Sequence, residues 1–331
     1  PSEWTWGGWD IRDTSLVDSA RELHEVTGSI SSNILDAVTD ELSKIEKNVF
    51  RGSGFGLRNL LSRFEDVVLP DLNAQQSLEQ MKEDIASFKR DNSLERVIVV
   101  NISSTEPLFE QSNAHSSLEN LRKAMETDGE GITPSILYAF AALDSGCPYI
   151  NFTPSPGTEL PALRELADSK GLPHVGRDGK TGETLMKTVL APMFAARNFK
   201  VMAWQGYNML GNRDGLILDD PESNSAKTAN KDKVLRSILP DDDMHSQTRI
   251  DYVKSLDDWK VAWDYIHFRG FLGTKMSLSF QWNGCDSMLA APLVLDLARF
   301  VLYEWEQGNS GVQRQLASFF KNPIDVDSAD F

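Results

Sequence analysis

The stretch HVGRDGKTGETLMKT, residues 174–188, places Gly-Lys-Thr directly before a helical pattern, as a phosphate-binding loop does. A nucleotide P-loop also needs a glycine four free residues before that triplet, and His174 stands there. Gly176 would leave a loop that is two residues too short. The sequence therefore disfavours an ATPase. The amides at the start of the helix could still hold a single phosphate. They belong to Thr181, Gly182, Glu183 and Thr184.

The lysines are the second group that could do chemistry. Lys227, Lys231 and Lys233 crowd one short stretch, Lys260 follows an acidic pair, and Lys321 stands in FFKNP. On charge alone they would be a solvated surface run. Polar residues within apolar segments such as NMLGNRDG and CDSMLAAPL, however, are costly to bury unless they have partners. A buried lysine has a lowered pKa, which would suit it to move protons.

Two further motifs leave alternatives open. RGSGFGLRN, residues 51–59, looks like a dinucleotide-binding turn but lacks the preceding apolar strand, so a flexible loop is favoured. Asp10, in GGWD, could accept a ribose hydroxyl of a nucleotide cofactor, or it could cap the helix that follows.

Composition bounds the class of protein and its partners. A length of 331 residues indicates two domains, and 40% hydrophobic residues suffice for a sizeable core. The net charge of −16 argues against binding to nucleic acid or to an anionic membrane surface. An anionic substrate would then need a local basic cluster.

Cysteine usage and hydropathy indicate the cytoplasm. Cys147 and Cys285 stand far apart without metal-ligand spacing, which predicts buried, reduced thiols. The most apolar segment, SMLAAPLVLDLARFVLYEW, carries Asp296 and Arg299 and falls short of the roughly 20 apolar residues of a membrane span. Neither a membrane helix nor a signal peptide is predicted.

Elements along the chain predict an α/β fold. After two amphipathic helices and a third from about residue 74, short apolar strands alternate with helices up to residue 199, which indicates an open parallel sheet with ligands beyond the strand carboxyl ends. Longer alternating strands predict a second domain at 200–284. The apolar helix at 287–307 should return to the first domain, covered on several sides. The predicted division is 1–199 plus 285–331, and 200–284.

Several blocks in order carry a resemblance over nearly the whole chain. The sequence resembles the myo-inositol-phosphate synthase (inositol-3-phosphate synthase) family in its shorter archaeal and bacterial form. The blocks are GGWDI, NISSTEP, YINFTPSPG, GRDGKTGETLMKTVLAPMF, YNMLGNRDG, SAKTANKDKV, DDWKVAWDYIHFRGFLG, CDSMLAAPLVLDLARF and FFKNP.

The resemblance implies an α/β fold in which a Rossmann-like parallel-sheet NAD domain carries an inserted α+β domain for catalysis and tetramerisation. It also implies an NAD-dependent isomerase that converts D-glucose 6-phosphate to 1D-myo-inositol 3-phosphate. In that reaction C5 is oxidised, C6 is enolised, the enolate closes on the C1 aldehyde, and the ketone is reduced again. Whether a divalent or monovalent cation assists is left open.

Site residues are implied by the same motifs. Lys321 would serve the C5 redox step and Lys227 the oxyanion of ring closure, because fixed cations stabilise developing negative charge. Lys231 and Lys260 would hold the substrate phosphate with residues 181–184. Asn212 and Asp286 match polar catalytic positions. The implied cofactor-binding residues are Asp10, Ser103, Ser104, Thr105, Asp178 and Asp214.

One departure concerns the amino-terminal end. The family begins with a strand and a glycine-rich turn that bind the NAD pyrophosphate, and this chain begins after them. We expect a fragment of a longer product. The alternative is a non-catalytic sugar-phosphate-binding paralogue that has lost its pyrophosphate site, and an enzyme of this scaffold acting on another sugar phosphate is a third possibility. The long strands of 246–284 predict a homotetramer formed by sheet packing.

Overall fold

Three sheets organise the molecule. The computed structural model describes residues 4–62, 64–107, 109–127, 129–212, 215, 235–236, 238–239 and 243–326. Within these residues the sheets have two, four and four strands.

The elements have the following bounds. The helices are α1 Leu16–Thr27, α2 Ser32–Ile45, α3 Arg58–Leu61, α4 Ala74–Asp91, α5 Leu118–Glu126, α6 Pro134–Asp144, α7 Pro161–Ser169, α8 Glu183–Ala196 and α9 Asp286–Glu306. The strands are β1 Gly8–Asp10, β2 Val49–Arg51, β3 Val99–Asn101, β4 Tyr149–Asn151, β5 Pro173–Gly176, β6 Lys200–Leu210, β7 His245–Tyr252, β8 Trp259–Arg269, β9 Lys275–Cys285 and β10 Gly311–Val312.

The first four-stranded sheet is parallel throughout and has the order β10-β5-β4-β3. The apolar helix α6 is buried along most of its length and packs with α4 and α7 into the largest core cluster. The parallel sheet predicted from strand–helix alternation is thus confirmed. All three strands β3, β4 and β5 deliver their carboxyl ends to the same edge.

The second four-stranded sheet has the order β7-β6-β8-β9. β6 pairs in parallel with β7 and antiparallel with β8, which in turn pairs antiparallel with β9. Along β6 and β8 buried positions alternate with less buried ones, because one face of the sheet packs against α8 through the cluster around Phe194 and Trp204. The long strands predicted here are present, and we propose the division at 199/200 and 284/285 as the domain division.

The amino-terminal region differs from expectation in detail. β1 and β2 form a parallel pair, and the following loop is packed: Gly52 and Gly54 are buried, and a Cβ at Gly52 would lie 2.8 Å from the Tyr138 hydroxyl. The loop is therefore part of the core rather than a loose turn. Ser15 caps α1, so the capping role considered for Asp10 is wrong.

Helix α9 returns to the parallel sheet as predicted, through Leu297 and Val301 against Ile150 and the neighbouring strand. The expectation that it is covered on several sides is wrong for the single chain. Its opposite face leaves Phe300 47% and Tyr303 58% exposed. The helix α5 was not predicted at all. Among the described residues, the helices are all too short or too polar to cross a bilayer.

Candidate active site

A cavity of about 840 Å³ opens where the carboxyl ends of β3, β4 and β5 meet the starts of α8, β8 and α9. Most of the predicted site residues line it. They are Ser103, Ser104, Thr105, Asp178, Thr181, Gly182, Glu183, Thr184, Asn212, Lys260, Asp286 and Lys321.

The remaining predicted residues are not among the described residues that line this cavity. Asp10 lies at the end of β1, where its carboxylate pairs with the Arg12 guanidinium at 3.0 Å. Asp214, Lys227 and Lys231 lie outside the described residues.

Lys321 pairs with Asp178 across 143 residues of sequence. Its Nζ donates to Asp178 Oδ1 at 2.8 Å, and both side chains are largely buried. The backbones are also joined, since the Lys321 amide donates to the Asp178 carbonyl at 2.7 Å. The nearby 3-10 helix ends at Phe319, so Lys321 lies beyond a helix end and points inward, as predicted.

Lys260 forms the second pair. Its Nζ donates to Asp286 Oδ2 at 3.0 Å, and Asp286 Oδ1 accepts from the Thr181 hydroxyl at 3.3 Å. Burial lowers the pKa of Lys260, but the charges of Asp286 and Glu183 outweigh burial and raise that pKa above its ordinary value. Lys260 is therefore a fixed cation beside the start of α8.

The start of α8 offers donors to an anion. The helix begins at Glu183, and the first amides of any α-helix lack intrahelical partners. Thr184 is buried, lines the cavity, and its hydroxyl has no hydrogen-bond partner among the described residues. Together with Lys260, these groups can hold a phosphate.

Lys180 is the lysine of the Gly-Lys-Thr motif, and the sequence does not predict its surroundings. It is buried, and burial together with the charge of Lys321 lowers its pKa to about 8. Two lysines thus lie close together beside Asp178. The Gly-Lys-Thr motif marks Lys180 as a candidate site residue. Its proximity to Lys321 could not be predicted, because the two lysines are far apart in the sequence.

Asp258 is a second residue that sequence analysis missed. It lines the cavity, and its carboxylate accepts from Cys285 Sγ and Ser287 Oγ, both at 2.8 Å, and from the Asn212 amide at 3.4 Å. It therefore joins the ends of β6 and β9 to the start of α9. The acidic pair before Lys260 was the available signal. Both cysteines are buried and unbridged, as predicted.

No cluster of three or more His, Cys, Asp or Glu side chains with metal-binding geometry occurs in the part of the chain that the structure describes. The chemistry on offer is that of paired lysines and carboxylates, of hydroxyls, and of backbone amides. Such a site can move protons and stabilise developing oxyanions next to a bound phosphate.

The chain matches one family model along residues 1–330, described as Myo-inositol-1-phosphate synthase in an NAD-binding group. It is 36% identical over 96% of its length to inositol-3-phosphate synthase 1 of Bacteroides thetaiotaomicron, of which it covers 75%. It is 32% and 30% identical over 90% of its length to the inositol-3-phosphate synthases of Trypanosoma brucei brucei and Saccharomyces cerevisiae. The chain spans only 57% and 58% of those two relatives.

Solved structures agree on the fold. The inositol-3-phosphate synthase of Caenorhabditis elegans superposes with a TM-score of 0.83 at 25% identity, covering 98% of this chain and 67% of that protein. A myo-inositol-1-phosphate synthase-related protein of Thermotoga maritima superposes with a TM-score of 0.75 at 23% identity, covering 96% of this chain and 80% of that protein.

Proposed function

Since the chain belongs to the myo-inositol-1-phosphate synthase family, we propose that it carries the active site of an inositol-3-phosphate synthase, an isomerase that converts D-glucose 6-phosphate to 1D-myo-inositol 3-phosphate. One observation carries the proposal. Two lysine–carboxylate pairs and the start of α8 converge on a single cavity. The names of the relatives support an enzyme rather than a non-catalytic paralogue.

NAD is the cofactor of this proposal, and the cavity residues fit it. Hydroxyls of residues 103–105 and the Asp178 carboxylate lie beyond the ends of parallel strands, where dinucleotides bind in open α/β sheets. Trp6, Ile102 and Phe152 add flat or apolar surface for ring systems. Bound here, NAD would supply the hydride acceptor for oxidation at C5 and the hydride donor for the later reduction.

The substrate phosphate binds at the start of α8. The amides of residues 182–184, the Thr184 hydroxyl and the Lys260 ammonium supply its donors, and Lys231 is added by the resemblance alone. Asp286 holds Lys260 and Thr181 in place at 3.0 and 3.3 Å. This subsite anchors the end of the sugar at which ring closure takes place.

Lys321 acts on the C5 hydroxyl. As C5 is oxidised, its Nζ passes the proton that it shares with Asp178 to that carboxylate and takes the hydroxyl proton, and both transfers reverse when the ketone is reduced. The neighbouring Lys180, whose pKa is lowered to about 8 by burial and by the charge of Lys321, places a second amine beside this position.

Ring closure needs a cation at C1, where the aldehyde oxygen becomes an alkoxide. The family motif assigns this task to Lys227. Asn212, which lines the cavity, stands two residues after β6, and Asp214 and Lys227 follow it in the sequence. Asp286 and Asn212 complete the polar wall against which the sugar chain folds.

The proposal also includes the oligomeric state and the cellular compartment of the protein. The sheet face opposite α8 carries a row of rings, with Trp263 5.8 Å from Tyr207 and 6.3 Å from Tyr265 between ring centres. Pairing of such faces between copies supports a homotetramer. Reduced, buried cysteines support a cytoplasmic enzyme.

The test is direct. The protein is incubated with glucose 6-phosphate and NAD, and phosphorus NMR follows the conversion of substrate into an inositol monophosphate. We expect this product with NAD and none without it. Mannose 6-phosphate and fructose 6-phosphate serve as matched controls. Binding of glucose 6-phosphate without any conversion would contradict the enzyme, and conversion of a control sugar instead would contradict the substrate.

A further inference from the structure

A row of three residues crosses the buried face of the second four-stranded sheet. Gly206 on β6 stands opposite Thr248 on β7 and opposite Asp264 on β8. Directly opposed residues of neighbouring strands project to the same face of a sheet. The row therefore lies beneath α8, the helix whose start forms the proposed phosphate subsite.

A buried ion pair on α8 stands on this row. Lys187 Nζ contacts Glu183 Oε1 at 2.7 Å, one helical turn apart, and donates to Thr248 Oγ1 at 3.1 Å. The Glu183 and Lys187 side chains are each only 1% exposed. Nearby, Asp264 accepts from the Trp204 indole at 2.7 Å.

Gly206 makes room for these groups. A Cβ at this position would lie 2.7 Å from Glu183 Oε1, 3.2 Å from Asp264 Oδ1 and 3.5 Å from Lys187 Nζ. The charged groups of the helix and the sheet thus meet over the one residue of β6 that has no side chain. The sheet, rather than α8 alone, determines where the Glu183 carboxyl group lies.

The position of Glu183 poses an electrostatic problem. Glu183 lines the cavity at the first turn of α8, and its charge reaches Lys260, whose pKa it helps to raise. A carboxylate here would repel a bound phosphate. Lys187 lies on the side of Glu183 away from the cavity, since Glu183 lines the cavity and Lys187 contacts Thr248 of the sheet.

We propose that Lys187 is a positioning residue for the anion subsite: from behind the cavity it holds and neutralises Glu183, so that the first turn of α8 presents its amides to a dianion. This inference rests on the phosphate subsite of the proposed function. Lys187 itself touches no substrate. The row Thr248, Gly206 and Asp264 serves as the platform that keeps the pair in place.

Sulfate is the probe, because it remains a dianion between pH 5.5 and 8.5, unlike phosphate. Its affinity is measured by titration calorimetry for the unaltered protein and for Lys187→Met, Glu183→Gln, the double variant and Lys187→Arg. At pH 8.5 we expect Lys187→Met to lose about tenfold or more in affinity, because an unneutralised charge then acts on the sulfate across a short distance. A buried carboxyl group that has lost its cation takes up a proton more readily than an exposed one, so the affinity of Lys187→Met should recover as the pH falls toward 5.5.

The other variants separate charge from packing. The double variant and Lys187→Arg should bind sulfate as the unaltered protein does at every pH. If Lys187→Met fails to fold, Glu183→Gln alone decides, since it should bind sulfate severalfold more tightly. Equal affinity losses at all pH values, or unchanged or weaker binding by Glu183→Gln, overturn the inference. No sulfate binding by the unaltered protein overturns the phosphate subsite as well.

Discussion

At the scale of single residues, the described site sets lysines against carboxylates and divides them between two tasks. Lys321 and Asp178 are joined at 2.8 Å near the hydroxyl loop at 103–105, whereas Lys260 and Asp286 are joined at 3.0 Å near the start of α8. A cation that has only to bind a phosphate should keep its proton, and the raised pKa of Lys260 fits that task. Removal of Lys321 should therefore impair the redox step, whereas removal of Lys260 should impair phosphate binding.

Lys321→Ala should abolish both the transient NADH and the inositol phosphate, because no group then takes the C5 proton. Lys227→Ala should still form NADH but fail to close the ring, since its proposed task comes later. NADH absorbance in a single turnover measures both. Lys170→Ala, which removes an exposed lysine paired with Asp144, is the control. Parent-like turnover by Lys321→Ala would remove this residue from the chemistry.

Lys260→Ala should raise the KM for glucose 6-phosphate by about tenfold or more, because a buried charge-assisted contact to phosphate is lost. NAD affinity should stay unchanged, since Lys260 lies on the side of the cavity that the start of α8 forms. Initial rates measure the KM for glucose 6-phosphate, and a fluorescence titration measures the affinity for NAD. A variant that loses NAD affinity and keeps its KM would show that this end of the cavity holds the cofactor instead.

At the scale of elements, β6 and β5 each place one residue in close contact with a neighbouring part of the chain. β6 brings Gly206 under the first turn of α8, and β5 buries His174 beside Thr158, whose hydroxyl lies 2.8 Å from His174 Nδ1. Both positions are constrained by neighbours from other elements. Substitution at either should therefore report on packing between elements rather than on strand propensity.

Gly206→Ala should lower the free energy of unfolding by about 1–3 kcal/mol, because the added methyl group overlaps the Glu183 carboxyl group and forces a shift. It should also weaken sulfate binding by moving the first turn of α8. Denaturant unfolding and calorimetry measure the two effects. Gly8→Ala is the matched control in a strand, since a Cβ there meets no atom within 4 Å. Equal stability of the two variants would contradict the close approach.

His174 should make the fold sensitive to acid. Burial lowers its pKa to about 4 from an ordinary value of 6.5, so the folded state disfavours the protonated ring. Between pH 6.5 and about 4 the unfolded ring takes up a proton that the folded ring does not, so the free energy of unfolding falls by about 3 kcal/mol over this range. His174→Gln lacks this loss, so the stability difference between it and the unaltered protein should shift in favour of the variant as the pH falls to 4. Parallel curves would contradict the burial of a neutral ring.

At the scale of the whole molecule, apolar surface remains on two sides of the single chain. The outer face of α9 leaves Phe300 and Tyr303 exposed, and the outer sheet face leaves Trp263 39% exposed within its row of rings. Surfaces of this kind usually mark contacts with a partner. The proposed homotetramer would cover them and explain why so apolar a helix as α9 has one open face.

Trp263→Glu should shift the protein from a tetramer toward smaller species, because a charge in the middle of the sheet face cannot be buried without a partner. Light scattering at micromolar concentration measures the mass. Val26→Glu places the same charge on the exposed surface of α1 and should leave the assembly intact. A monomeric unaltered protein, or equal effects of both changes, would contradict assembly through the sheet.

The sequence by itself determined the parallel sheet, most of its flanking helices and the long strands after residue 200, whereas most of the residues that line the cavity came from the resemblance to the family motifs. Period and composition are local properties, and the carboxyl ends of parallel strands meet at one edge whatever the loops do. The inward position of Lys321 was predicted from its neighbours in FFKNP, because phenylalanines favour the core and a proline ends a helix.

Tertiary structure alone decided which groups meet. Asp178 faces Lys321 across 143 residues, Asp258 gathers Asn212, Cys285 and Ser287, and Lys187 reaches the sheet below its own helix. Such partners depend on strand order and on the angle at which α8 crosses β6, and neither is written into any periodicity. The open face of α9 was mispredicted for a related reason: an apolar helix must be covered, but hydropathy does not say whether its own chain or another copy covers it.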